Sequence, residues 1–292
     1  MSFRWLMTLL CVALLGLGST GDALAQKTKS KGAAAPQTQT ATQPGAVTDL
    51  DPTDAEELEE ILAEADTAYF ADSPDYEYAY KMYLVAAEAG STYAMNRVGL
   101  MHDKGQYVEQ SYAESFGWFM KAAEGGLPVG MSNVADMYYY GDGVAKDLDQ
   151  AVRWYTRAAD ADYGYAMNAL GNLYLSGDGV PEDREEAVYW FQQASDAGDP
   201  GGHWSLALRL LYGEGIDRDT TRAAELAYLA LVNGHETALK EFKIIKDADT
   251  PPSFRRKVQE LLKGDGFYSG AIDGDFGPST IRAVEAAYES AL

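Results

Sequence analysis

Apolar and small residues recur along the middle of the chain with the spacing of amphipathic helices. The stretch from Ala166 to Gly198 carries two such apolar stripes, separated by a short polar segment that contains two glycines. The first stripe consists of Ala166, Leu170, Leu173 and Tyr174, and the second of Ala187, Trp190, Phe191 and Ala194. Gly177 and Gly179 lie between the stripes and favour a turn, because glycine adopts positive φ readily. The stretch therefore predicts two short helices joined by a glycine turn.

This helical hairpin recurs at a fixed interval. Trp118, Trp154 and Trp190 are 36 residues apart, and the same interval separates the glycines Gly105, Gly141, Gly177 and Gly213. One short hairpin cannot bury its own apolar face, so neighbouring hairpins must stack on it. We therefore predict an all-α fold, an α/α superhelical solenoid of helix-turn-helix repeats with period 36. The three tryptophans are expected to be buried anchors of the repeats, and Gly141, Gly177 and Gly213 to form their turns.

The repeated motif resembles a known family. Its form is A-x-x-x-L-G-x-x-Y-x-x-G-x-G-V followed by A-x-x-W-F/Y-x-x-A-A/S-x-x-G, which is similar to the Sel-one-like repeat. The units from Gly130 to Asp162 and from Ala166 to Gly198 match it best, whereas Tyr107 replaces the second turn glycine of an earlier unit. The resemblance covers roughly residues 76–240. It implies a tetratricopeptide-like superhelix that binds other proteins.

The N-terminal segment has the pattern of an export signal. Arg4 precedes an apolar run from Leu6 to Leu17, and an A-x-A motif ends at Ala25. We predict a signal peptide over residues 1–25, cleaved between Ala25 and Gln26, and hence a periplasmic protein. The apolar run is too short to serve as a stable membrane anchor. Residues 26–50 are of low complexity and predict a disordered tether.

Helical spacing of Leu58, Ile61 and Leu62 predicts a capping helix within residues 51–75, which covers the first repeat. The repeats and a C-terminal cap are expected over residues 76–249. Pro251 and Pro252 then interrupt the helical pattern, because a proline disfavours helix at the residue before it. We place a domain boundary there.

Residues 253–292 predict a small module of two helices around a glycine-rich turn region. Its motif G-F-Y-x-G-x-I-D-G-x-F-G-P-x-T resembles the peptidoglycan-binding-like module of bacterial wall enzymes. The resemblance implies a peptidoglycan ligand and suggests a site formed by Phe267, Tyr268, Asp273 and Phe276. Phe276 and Ile272 are expected in the core. Phe267 and Tyr268 are either core residues or an aromatic face for a sugar ring or stem peptide, and Asp273 suits a turn.

Composition excludes several kinds of function. The formal charge of −22 argues against nucleic acid as a partner, because phosphate binding needs clustered lysine and arginine. This charge suits either a basic partner or a solvated acidic surface. The only cysteine, Cys11, lies in the predicted signal peptide. The histidines His102, His203 and His235 lie in separate repeats, and no recognised catalytic or metal-binding spacing is present, so we expect no catalytic residue, metal or cofactor.

These features together predict a non-enzymatic scaffold of the bacterial cell envelope. Its solenoid is expected to bind an envelope protein, and its C-terminal module to bind peptidoglycan. Two alternatives stay open at this point. In the first alternative, the protein is a periplasmic regulator of a sensor or of a wall-remodelling enzyme. In the second, it is itself a wall-remodelling enzyme whose site has no recognisable motif.

Overall fold

A computed structural model of the chain describes residues 55–245 and 250–292. The signal peptide, its cleavage site at Ala25–Gln26 and the tether predicted for residues 26–50 lie outside these residues. The described residues form thirteen helices and no strand, which confirms the prediction of an all-α solenoid of helical repeats. None of the described helices is long and apolar enough to cross a membrane. The chain divides into two compact units, unit 1 up to Gly130 and unit 2 from Met131.

Unit 1 consists of four helices and the start of a fifth. These are α1 (Ala55–Tyr69), α2 (Tyr76–Glu88), α3 (Thr92–Lys104), α4 (Tyr112–Glu124) and α5 (Pro128–Tyr140), which continues into unit 2. Helix α1 packs on α2, α2 on α3, and α3 on α4. The buried residues Ile61, Ala65 and Tyr69 of α1 share one apolar core with α2 and α3.

Unit 2 contains the end of α5 and eight further helices. These are α6 (Leu148–Ala159), α7 (Gly164–Ser176), α8 (Arg184–Asp196), α9 (Pro200–Tyr212), α10 (Thr220–Val232), α11 (Glu236–Ile244), α12 (Pro252–Gly264) and α13 (Pro278–Glu289). Consecutive helices pack on one another from α6 to α11. Helix α12 packs on α10, and α13 packs on both α10 and α11. The C-terminal residues therefore belong to the same compact unit as the last repeats.

The second helix of each repeat begins at a side-chain cap. Asp147, Asp183 and Asp219, again 36 residues apart, each accept a hydrogen bond from a backbone N–H in the first turn of α6, α8 and α10. A carboxylate here satisfies donors that have no partner within the helix. The preceding helix ends in a left-handed residue, as at Gly177 and Gly213, whose φ angles are 78° and 70°. Gly141 has φ 84° at the equivalent turn.

In the three repeats whose second helix carries a tryptophan, the most deeply buried aromatic residue of that helix is the one that follows the tryptophan. Trp154 is buried, but Trp118 and Trp190 are only half-buried, which corrects the expectation that all three tryptophans are buried anchors. The residues that follow them are almost inaccessible, and these are Phe119, Tyr155 and Phe191. Two of the tryptophan rings are each covered by a cationic side chain. Lys121 Nζ lies 3.7 Å from the centroid of the Trp118 ring, and Arg157 Cζ lies 4.1 Å from the centroid of the Trp154 ring. The tryptophans therefore line the edge of the core rather than its centre.

Small residues let neighbouring helices approach closely. A Cβ atom at Gly202 of α9 would lie 2.5 Å from the Cβ of Ala194 on α8, and one at Gly171 of α7 would lie 2.5 Å from the Phe191 ring. Both distances are far below van der Waals contact. The tight stacking of the repeats in unit 2 therefore requires glycine at these two positions.

An aromatic stack joins the C-terminal residues to the last repeat helix. Phe242 of α11 is completely buried, and its ring stacks on Phe254 of α12 at 6.3 Å and on Phe276 at 6.2 Å. Polar contacts also join residues 253–292 to α10 and α11. They are the bond from the Tyr228 hydroxyl to Asp265 (2.5 Å), and the ion pairs Lys257–Glu225 (2.9 Å) and Lys243–Glu285 (2.6 Å). Residues 253–292 thus cover the apolar end of α10 and α11.

Candidate functional site

A cluster of tyrosines surrounds one carboxylate in unit 2. Asp136 of α5 accepts hydrogen bonds from the hydroxyls of Tyr155 on α6 and Tyr165 on α7, the latter at 3.3 Å. Tyr140 lies one helical turn after Asp136, and Tyr163 precedes α7. We call these five residues the tyrosine–carboxylate cluster. It is assembled from three consecutive helices, so it exists only in the folded repeat.

Desolvation sets the electrostatics of this cluster. Burial raises the pKa of Asp136 to about 7, although the hydrogen bonds from Tyr155 and Tyr165 act in the opposite direction. The Asp136 charge in turn raises the pKa of the Tyr165 phenol, and burial with the same charge raises the pKa of Tyr163. The phenols therefore remain protonated donors, and the carboxylate is poised to change its charge near neutral pH.

One ring of the cluster is open to solvent. Tyr140 is 40% exposed, and its ring lies edge-on to that of Tyr139 at 5.0 Å. Tyr139 itself is buried, and its hydroxyl donates to Asp178 at 2.9 Å. A rigidly supported, half-exposed tyrosine offers a large contact surface at little cost in conformational entropy. The geometry suits recognition of another protein, and tyrosine is enriched at such interfaces.

A second desolvated carboxylate lies next to the cluster. Asp199 precedes α9 and accepts a hydrogen bond from the backbone N–H of Gly202 at 2.6 Å. Burial raises its pKa to about 6, and its charge contributes to the raised pKa of Tyr163. Gly164 makes room for it, because a Cβ there would lie 2.8 Å from the Asp199 Cβ. This face of unit 2 therefore combines exposed aromatic surface with two partly desolvated acids.

Unit 1 contains an equivalent arrangement with a different environment. The carboxylate of Asp66 accepts hydrogen bonds from Tyr83 at 2.5 Å and Tyr93 at 2.8 Å. The guanidinium carbon of Arg97 lies 4.1 Å from the centroid of the Tyr69 ring and 5.6 Å from that of Tyr83. Here a cation packs among the rings, so the unit 1 arrangement is an internal contact. The cluster of unit 2 is the one that presents an open ring.

Gln259 of α12 organises the glycine-rich loop of the C-terminal module. Its side-chain N–H donates to the Asp273 carboxylate (3.1 Å) and to the Asp275 carbonyl (2.9 Å), and its oxygen accepts from the Gly274 N–H (2.7 Å). The Arg255 guanidinium donates to the Gly274 carbonyl at 2.5 Å. Both side chains are buried. The loop therefore has one fixed conformation, which is stabilised from its buried side by the two polar side chains.

Two of the four predicted wall-binding residues are buried. Tyr268 and Phe276 are each 7% exposed. The Tyr268 hydroxyl donates to the Ala271 carbonyl at 2.9 Å, and the Phe276 ring is covered by Phe242. Of the two interpretations of Tyr268, the burial supports a core residue and not an aromatic face for a ligand, because the ring packs in the interior of the module.

The open surface of the loop consists of other residues. Phe267 is half-buried, and Asp273 is exposed with a carboxylate that accepts the Asp275 N–H at 2.9 Å. This bond and that from Gln259 lower the pKa of Asp273. Ile272, which the motif places in the core, is 38% exposed. That expectation is wrong: Ile272 lies on the exposed side of the loop, whereas Gly274, which donates to Gln259, is the buried residue of this segment.

The histidines have structural roles where their contacts are clear. His203 Nδ1 is 2.8 Å from the Ser195 hydroxyl, and both residues are buried. His235 stacks on Trp204 and accepts the Ala238 N–H at the start of α11, and burial lowers its pKa to about 4. Among residues 55–245 and 250–292, no group of three or more histidine or acidic side chains is arranged to hold a metal ion.

Comparison with known sequences shows the family. The Sel1 repeat model matches residues 67–91, 92–127, 128–163, 164–199 and 200–235, which is more than half of the chain. The protein therefore belongs to the Sel1 repeat family. Proteins with these repeats typically mediate protein–protein interactions. No curated protein matches the chain.

Solved structures share the fold. A Sel1 repeat protein from Oxalobacter formigenes is 23% identical over 83% of this chain and 88% of its own, with a TM-score of 0.63. A protective antigen of uropathogenic Escherichia coli with an SLR fold is 25% identical over 80% of this chain, with a TM-score of 0.57; the match spans 54% of the antigen. An immunity protein from Pseudomonas aeruginosa is 17% identical over 84% of both chains, with a TM-score of 0.53.

Proposed function

We propose that the protein is an exported, non-enzymatic scaffold of the cell envelope. It binds a protein partner through the tyrosine–carboxylate cluster of its repeats and peptidoglycan through its C-terminal loop. The single observation that carries the proposal is the cluster itself, in which a half-exposed tyrosine ring stands beside a desolvated carboxylate. Membership of a family whose repeats mediate protein–protein interactions supports it.

Charge and chemistry define the partner. The formal charge of −22 favours a basic protein segment, because complementary charge accelerates encounter and excludes like-charged competitors. At the cluster, Tyr140 offers its ring to an apolar or cationic side chain of the partner. Because burial raises its pKa to about 7, Asp136 is ionised only in part near neutral pH, and a cation that approaches it favours the ionised form.

The wall contact rests on the C-terminal motif and on the loop geometry. Gln259 and Arg255 hold the loop rigid, so its exposed residues are preorganised. We assign the contact with glycan or stem peptide to Phe267, Ile272 and Asp273. Tyr268 and Phe276 support this surface from within the module.

The proposed organisation follows the sequence. Residues 1–25 direct export to the periplasm and are removed, and residues 26–50 form a tether. Residues 51–75 cap the repeats, which extend over residues 76–249, and residues 253–292 form the wall-binding module. The contacts of Phe242 with Phe254 and Phe276 fix this module on the last repeat. A partner held on unit 2 would therefore be carried at a defined position relative to the wall.

A matched pair of tyrosine variants tests the partner site. The mature chain is immobilised to capture its partner from periplasmic extract, and affinity for the purified partner is then measured by calorimetry. Tyr140→Ala is expected to weaken binding about tenfold or more, as loss of an interface aromatic anchor does. The control is Tyr189→Ala on α8, which removes a ring that is 52% exposed outside the cluster. Equal affinity of the two variants would contradict the assignment.

A further inference from the structure

Tyr107 occupies a backbone conformation that the other repeats reserve for glycine. Its φ is 67°, and the equivalent residues Gly143, Gly179 and Gly215 have φ 69°, 74° and 74°. In unit 2 this position has no room for a side chain, because a Cβ at Gly179 would lie 2.9 Å from the carbonyl oxygen of Leu148. The turn in unit 1 therefore accommodates a tyrosine side chain at a position where the equivalent turns of unit 2 have glycine.

Folding alone does not account for this tyrosine. A left-handed conformation is unfavourable for a residue with a Cβ. The Tyr107 ring is 50% exposed, so its burial offsets little of that strain. Strained residues of this kind cluster at ligand-binding and active sites.

The ring is part of a supported aromatic surface. Its centroid lies 5.7 Å from that of Tyr80 on α2, at an interplanar angle of 50°. Tyr80 is fixed in turn by His102 of α3, whose Nε2 is 3.1 Å from the Tyr80 hydroxyl and whose ring is 5.7 Å away. We call Tyr80, His102 and Tyr107 the aromatic patch of unit 1.

The charges around the patch favour a cation. Burial raises the pKa of Tyr80 and lowers the pKa of His102, and the carboxylate of Glu114, at the start of α4, acts on both groups in the upward direction. Lys81 of α2 lies close to Tyr107 but is paired with Glu77 at 2.6 Å. The patch thus offers π faces beside a negative charge on a strongly acidic protein.

We propose that the aromatic patch of unit 1 binds a lysine or arginine side chain from a basic segment of a protein partner. The cation lies over the exposed Tyr107 ring and is drawn by the Glu114 carboxylate. This surface is distinct from the tyrosine–carboxylate cluster of unit 2 and does not depend on the function proposed for it. Tyr107 gives this turn its specificity for a basic side chain, because it is the residue that distinguishes the turn from the glycine turns of unit 2.

The test restores the residue of the other repeats. The mature chain with Tyr107→Gly is titrated with a fluorescein-labelled nonaarginine peptide at physiological ionic strength. Affinity is expected to fall about threefold, the effect of losing one exposed cation–π contact. The melting temperature is expected to stay the same or rise, because glycine relieves the left-handed strain. Glu114→Gln should also weaken binding without unfolding the chain.

Tyr189→Ala, which removes an equally exposed ring from regular helix, serves as the control and should leave the affinity unchanged. Unaltered affinity in Tyr107→Gly would overturn the proposal. A lower melting temperature would also overturn it, since the ring would then be a structural element. Binding of a neutral chitin oligosaccharide that depends on Tyr107 would overturn it in favour of a sugar site.

Discussion

Replacing Phe242 by alanine is expected to destabilise unit 2 by about 3–5 kcal/mol, the usual cost of removing a buried aromatic ring. Phe242 is completely buried and contacts the rings of Trp204, Phe254 and Phe276. Its loss leaves a cavity between the last repeat and the C-terminal module. Denaturant unfolding monitored by circular dichroism measures the change in free energy.

The neighbouring Ile244→Ala is the matched control, because Ile244 is 61% exposed on the same helix. It should change stability by no more than about 0.5 kcal/mol. A chain that ends before Ser253 should also lose stability to the extent expected for Phe242→Ala, because the truncation exposes the buried face of Phe242. Equal stability of Phe242→Ala and Ile244→Ala would mean that the module does not pack on α11 in solution.

Raising the pH from 4 to 8 is expected to destabilise the protein relative to its Asp136→Asn variant. The folded pKa of Asp136 is about 7, against 3.8 for an unperturbed aspartate. Between these values the folded state binds more protons than the unfolded state, so its stability falls as the pH rises. The difference in unfolding free energy between variant and parent should grow by roughly 1–4 kcal/mol, because a pKa difference of one corresponds to about 1.36 kcal/mol.

Asparagine keeps an oxygen that can accept from Tyr155 and Tyr165, so the variant isolates the effect of charge. Asp199, whose pKa is raised to about 6, is present in both proteins and cancels from the difference. Asp160→Asn is the control, because Asp160 is exposed at the end of α6. A difference for Asp136→Asn that stays flat across the pH range would show that the carboxylate is solvated.

The repeat fold could be predicted from the sequence because several positions share one period. The 36-residue period predicts where the apolar stripes and the turn glycines lie, but it does not predict which residue of a stripe is the most deeply buried. Trp190 and Phe191 are consecutive residues of the same apolar stripe, so the sequence pattern does not distinguish their burial. Packing against Gly171 places Phe191 at the centre and leaves Trp190 at the edge.

The tyrosine–carboxylate cluster was not predicted, although a signal for it exists. Tyr83 and Tyr93 are each two repeats before Tyr155 and Tyr165. An interval of two repeats is invisible when every repeat is compared with its immediate neighbour. The acceptor could not be found in this way, because Asp66 and Asp136 are not at the same repeat position, and only packing brings each to its tyrosine pair.

The C-terminal loop shows a different limit. The motif resemblance identifies the segment, but it does not give the orientation of each side chain. Gln259 lies in α12, well before the loop, and nothing in its local sequence marks it as the residue that holds Gly274. The motif alone therefore predicts neither the burial of Tyr268 nor the exposure of Ile272.

The most direct test of the scaffold function measures whether the protein carries its partner to the wall. Purified sacculi are sedimented with the captured partner and either the mature chain, its Ile272→Ser variant or a Leu229→Ser control. Leu229 is 41% exposed on α10 and matches Ile272 in exposure. We expect the partner to sediment only with the parent and the Leu229→Ser control. Sedimentation of the partner without the protein, or equally with Ile272→Ser, would contradict the account.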